Sequence, residues 1–136
     1  MQDMKVYDIM GFPAEQIGDG VKRDIRIAVS PQTTGEERAT FVHCTLPPNS
    51  ISNGHIHPGE DEYIYFDIGG KAILDGVVYE VPPKALVHAR AGSVHECINT
   101  SKEKTLTLFC IFLPALTPYG IYPQLIEKTR EHLKKQ

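Results

Sequence analysis

Proline and glycine interrupt this chain at ten and eleven positions spread along its 136 residues, which divides it into short segments and leaves little room for long helices. The segments between these breaks carry the period of a strand. In residues 24–29 the side chains of Ile25, Ile27 and Val29 share one face, and Arg26 lies on the other. Residues 39–46 are β-branched and aromatic and stop at Pro47-Pro48. Residues 62–68 close on Gly69-Gly70, and residues 71–74 and 77–81 flank Asp75-Gly76, a dipeptide that tolerates the positive φ of a tight hairpin at both turn positions. Residues 85–88, 95–98 and 105–112 complete eight to ten short strands, which predict an all-β sandwich or closed barrel. Only the tail reads as a helix, over 123–135: Pro123 suits a first turn, Leu125, Ile126 and Leu133 form a partial apolar stripe, and the closing lysines suit the negative pole.

A hydrophobic share of 41% at this length is read as one domain spanning 1–136, which can bury roughly 68% of its unfolded surface and needs no structural metal. Any metal here has a functional reason. A net charge of −3 with no basic stripe argues against nucleic acid as a partner. No apolar run approaches the roughly 18 residues of a membrane span, and Met1-Gln2-Asp3-Met4-Lys5 does not read as a signal peptide, so the expectation is a cytoplasmic protein with no membrane partner. Cys44, Cys97 and Cys110 are odd in number and lack ligand spacing; they read as buried free thiols.

Chemistry concentrates in the middle of the chain. In an extended strand residues i and i+2 point the same way, so His55 and His57 converge on one point. After the turn at residues 58–61, Glu62 can fold back to offer a carboxylate, and His95, following Gly92-Ser93-Val94, can aim a third ring from another hairpin. Three imidazoles and a carboxylate suit one divalent transition metal per chain: iron, manganese, nickel, zinc or copper.

These residues resemble the cupin superfamily. Its first motif, H-x-H, four residues, E, six residues, G, is matched by His55, His57, Glu62 and Gly69. In its second, P-x-G-x-x-H-x-x-x-N, Gly92, His95 and Asn99 match while Arg90 replaces the proline, and Asn49 and Lys84 stand where each motif normally begins with glycine. The departures affect turn geometry, not ligand identity. The resemblance covers a motif core of about 40–113, with N-terminal strands in 4–29. It implies a small single-domain jelly-roll β-barrel, the double-stranded β-helix, holding a metal on His55, His57, Glu62 and His95.

Further candidates are weaker. Glu60 and Asp61, in the turn beside the ligands, are candidate general bases, with solvated turn residues as the plain alternative. Arg26 is a candidate for binding a substrate carboxylate, or a surface residue. Glu62, Ile64, Phe66 and Ile68 share a face and predict an apolar cavity; Tyr63 and Tyr65 point the opposite way, toward sheet packing or a subunit contact. His43 and His88 read as strand histidines with local partners, and His132 as exposed.

The leading functional reading is a metal-dependent enzyme acting on a small organic molecule in the barrel, by dioxygenase chemistry with iron or isomerase or lyase chemistry with a Lewis-acid metal. Sequence does not separate these. The alternative is a non-catalytic module that binds or senses a small ligand. Small cupins commonly pair, so a homodimer is expected, with the segment through Val29 and the tyrosine faces as its contacts.

Overall fold

The strand pattern is realised almost break for break. In the computed structural model, which describes residues 4–18, 22–52 and 54–136, a 3-10 turn (Ile9–Gly11) leads into β1 (Glu15–Ile17), β2 (Arg23–Val29), β3 (Thr40–Leu46), β4 (His55–Ile56) and β5 (Asp61–Phe66). They are followed by β6 (Gly70–Leu74), β7 (Val77–Val81), β8 (Ala85–Ala89), β9 (Val94–Ile98), β10 (Leu106–Leu113) and the helix α1 (Tyr122–Lys134). Residues 1–3, part of the signal-peptide reading, lie outside the described residues.

Antiparallel pairing sorts the strands into two sheets, of order β1-β2-β3-β10-β5-β8 and β4-β9-β6-β7. No ladder among the described residues joins the two, so the jelly roll is a pair of sheets rather than a barrel closed by hydrogen bonds. The edge strands β7 and β8 of the two sheets follow one another through a corner at Pro82-Pro83 without pairing.

The core fills the space between the sheets. Along β3 and β10 every second residue is buried, and the same alternation in β5 buries Glu62, Ile64 and Phe66 while Tyr63 and Tyr65 face outward, as the sequence pattern predicts. In β2 the alternation breaks. The register with β3 shifts between Ile27 and Val29, a bulge that turns Ala28 inward and leaves Val29 only half-buried, so the predicted face holds for Ile25 and Ile27 alone. The helix begins and ends one residue earlier than predicted. Its stripe is fuller: Tyr122, Leu125, Ile126 and Thr129 are buried with Leu133 half-buried, and Thr129 hides its polarity by donating its hydroxyl to Leu125 O at 2.8 Å. His132 is half-buried against the Phe12 ring, 5.2 Å between centroids, rather than exposed.

The turns explain the motif glycines and their replacements. A Cβ on Gly69 would sit 2.6 Å from Val81 O, and one on Gly70 2.3 Å from Ile98 O, so β6 can start here only with glycine. Asp75 (φ 48°) and Gly76 (φ 82°) make the predicted hairpin turn, and Asp75 Oδ1 accepts from Val94 N at 2.8 Å. Asn49 and Lys84 keep the left-handed backbone, at φ 58° and 67°. Glycine is missing from the two motif starts, but its conformation is not.

Asn99 ties the two sheets together at one end. Fully buried, it donates from Nδ2 to Leu46 O, Pro47 O and Lys104 O at 3.0, 3.0 and 2.8 Å and accepts from Ser101 N at 3.0 Å. Both ends of the amide are satisfied, and the loop after β9 is locked to the end of β3.

Candidate metal centre

Pairing register brings the ligand residues together from separate stretches of chain. The two-residue strand β4 lies against β9 with His55 directly opposite His95, and Gly92 N, in the turn before β9, donates to His57 O at 3.0 Å. Glu62 projects from β5 in the other sheet, so the site bridges the sandwich. The ring centroids of His55, His57 and His95 stand 4.3 to 5.5 Å apart. One ligand atom from each of His55, His57, Glu62 and His95 lies within 4.8 Å of all the others, the arrangement that the spacing predicts.

The donors fit a cation. Glu62 Oε1 lies 2.9 Å from His95 Nε2 and 3.4 Å from His57 Nε2. His57 Nε2 is buried and has no hydrogen-bond partner among the described residues, as is also true of His95 Nδ1. A buried ring nitrogen left over beside a carboxylate is costly unless something between them shares its lone pair. Donors on opposite sides of one transition-metal ion sit about 4.2 Å apart, close to the spread seen here. Burial pushes the Glu62 carboxyl up, but the neighbouring His57 and His95 rings more than offset it and bring it down to about 2. Glu62 is therefore anionic at neutral pH.

Around the donors lies a cavity of about 50 Å³. Its wall is largely apolar, as predicted, with Ile25, Val42, Ile64, Leu108 and Phe112, and it also includes the three cysteines. All three are free and buried. Burial pushes the Cys44 thiol up to about 12 and raises those of Cys97 and Cys110 as well, which disfavours a free thiolate at each of the three.

The three weaker candidates do not line this cavity. Glu60 is buried with its two carboxylate oxygens engaged by Gly59 N (3.1 Å) and Thr117 N (2.8 Å), which fastens the ligand turn to the loop between β10 and α1. Asp61 accepts from Ala91 N and pairs with His88 Nε2, both at 2.9 Å, and these contacts hold its carboxyl below the usual range. His88 also stacks flat on Tyr63 at 4.3 Å between centroids, so its local partners are Asp61 and Tyr63. Arg26 is on the outer side of β2, donating from Nε to Phe12 O at 3.1 Å. His43, outward on β3, has a buried Nδ1 without a partner among the described residues; burial, then Arg26, lower its pKa.

Among polar residues not singled out in the sequence, Arg23, Ser52 and Tyr122 line the cavity, and Tyr119 reaches the site through His57. Arg23 lines the cavity from the first position of β2. It has the same parity as Ile25 and Ile27, a signal the sequence does contain. Tyr119, on the loop before α1, brings its hydroxyl to 3.4 Å from His57 Nδ1. Nothing local marks it, because the contact spans 62 positions.

The cupin-domain family model matches residues 42–112, more than half of the chain, and includes all four clustered residues. The chain belongs to the cupin family. Among solved structures this cupin is similar to a predicted oxalate decarboxylase from Thermotoga maritima at 20% identity and TM-score 0.70, over 81% of this chain and 99% of that one. It is also similar to KdgF from a Halomonas species, at 14% identity and TM-score 0.65 over 82% and 94% of the two chains. A third is ectoine synthase from P. lautus, at 14% and 0.66 over 84% and 80%. At such identities the likeness speaks for the fold. No curated protein matches this chain.

Proposed function

We propose that this cupin is a metal-dependent enzyme acting on a small organic molecule in the cavity between its sheets. The observation that carries the reading is the convergence of His55, His57, Glu62 and His95 from both sheets on one buried point, with a ring nitrogen of His57 left over. These four residues would hold a divalent transition metal, which supplies Lewis acidity or, if it is iron, redox chemistry toward dioxygen. Four protein donors leave one or two coordination positions for a ligand from solution. The apolar wall excludes water, and Glu62, charged and buried, offsets part of the metal's charge. Two of the structural relatives carry enzyme names, a predicted oxalate decarboxylase and an ectoine synthase, which supports a catalytic reading without choosing the reaction.

A non-catalytic binding module is the second reading, and it draws support from the engagement of Glu60 and Asp61, which leaves no free acid or base of the ligand turn at the site. Turnover separates the two. Metal-loaded protein screened against small hydroxy, keto and dicarboxylic acids, with oxygen uptake followed in parallel, is expected to consume one class, and a His57→Ala variant to consume none. Saturable binding without turnover across the panel would support the module instead.

We further propose a homodimer in a reducing, cytoplasmic setting. Three free thiols with no disulfide fit such a compartment. Exposed Val77, Val78 and Tyr79 on the edge strand β7, with Leu86 on β8, offer apolar surface for a second copy.

A further inference from the structure

We infer that Arg23 is the anion-binding group of this cavity and that the ligand it selects is a small carboxylic acid, held by its carboxylate on the guanidinium and by a second oxygen on the metal; this rests on the metal-centre reading above. Arg23 is half-buried on the inner face of β2 and lines the same small cavity as the four clustered residues. Among the described residues its side chain makes no hydrogen bond or ion pair, while Arg26, three positions on, donates from Nε to the Phe12 carbonyl and keeps a buried Nη1 without a partner.

A guanidinium is always charged and presents a planar fork matched to a carboxylate, and Arg23 shares the cavity lining with Ile25 and Val42. Among the described residues Glu62 is the one carboxylate that lines the cavity, and it is taken up with His57 and His95. With a divalent cation on the histidines and Glu62, the cavity would carry a net positive charge that only an anionic ligand neutralises. Its volume of about 50 Å³ restricts that ligand to a few heavy atoms. A 2-hydroxy or 2-keto acid of that size carries both functions, a carboxylate for Arg23 and a second oxygen for the metal, on adjacent carbons. Arg26, the weaker candidate for a substrate carboxylate, lies on the opposite face of the same strand and does not line the cavity.

The test compares glycolate with ethylene glycol, which differ only in the carboxylate, by calorimetric titration into protein loaded with cobalt(II). Wild type is expected to prefer glycolate by tenfold or more. Arg23→Gln should lose about tenfold in glycolate affinity with unchanged cobalt uptake and unchanged ethylene glycol binding, and Arg23→Lys should recover part of the loss. Arg26→Gln should match wild type. If Arg23→Gln fails to fold, Arg23→Lys decides, since it keeps the charge and removes the fork. Equal glycolate affinity in wild type and Arg23 variants overturns the inference. If wild type takes up no cobalt, the metal reading fails instead. The metal-free protein then decides the role of Arg23: glycolate must raise the melting temperature of wild type and not of Arg23→Gln, and no difference overturns it.

Discussion

Tyr119 meets the Nδ1 of His57 at 3.4 Å, and a ring nitrogen engaged there leaves Nε2 directed at Glu62. Outer partners of metal-bound histidines typically contribute 10- to 100-fold in metal affinity, and this contact is long, so Tyr119→Phe is expected to lower metal affinity about tenfold while leaving the melting temperature of the metal-free protein unchanged. Competition against a chelator measures the first and calorimetry the second; equal affinities would assign Tyr119 no part in orienting the ring. Lys84 makes a different case. A side chain in the left-handed region costs roughly 1–2 kcal/mol, more than the roughly 0.5–1 kcal/mol of chain entropy that glycine adds. Lys84→Gly is therefore expected to raise the melting temperature by about 3 °C, against the usual effect of introducing glycine; a fall would show that the φ of 67° carries no strain.

At this scale the ligand set was readable and its support was not. His55, His57, Glu62 and His95 announce themselves because period-2 geometry and motif spacing are local properties. Arg23 is legible by its parity with Ile25 and Ile27, whereas the isoleucines that flank Arg26 place it on the outer face. Tyr119 and the clamp from Glu60 to Thr117 join residues 62 and 57 positions apart, and no local pattern encodes them.

Among the elements, β4 and β9 matter most, since their register sets His55 opposite His95. That register is held from the far end by Asn99, whose amide satisfies three carbonyls and one N–H in a buried corner. Asn99→Ala removes all four bonds and strands buried backbone groups, so a loss of about 2 kcal/mol or more is expected in chemical denaturation. A loss below about 0.5 kcal/mol would mean that water replaces the amide and that the motif asparagine is not structural. Strand positions were legible to within a residue or two, because alternation and turn residues act locally. The bulge at Ala28 was not legible, since the sequence continues its alternation through a break that only pairing with β3 reveals.

For the whole molecule, the two-sheet sandwich leaves β7 and β8 as edges, with Val77, Val78, Tyr79 and Leu86 exposed on them. Unpaired, apolar edges favour association. Light scattering on the eluting peak of a sizing column is expected to give twice the chain mass of 15.2 kDa, and a species of 15.2 kDa would contradict the homodimer. The fold class was legible from composition and breaks; the open side of the sandwich was not, because closure depends on which edges meet.

The central claim is that four residues from two sheets form one metal site. Elemental analysis by plasma mass spectrometry of tag-free protein, purified without added metal, tests it most directly when wild type is run beside His57→Ala and His95→Ala. Close to one transition-metal ion per wild-type chain is expected, with most of it lost in each variant. Full occupancy in the variants, or a wild-type protein that is empty and rejects added divalent metals, would contradict it.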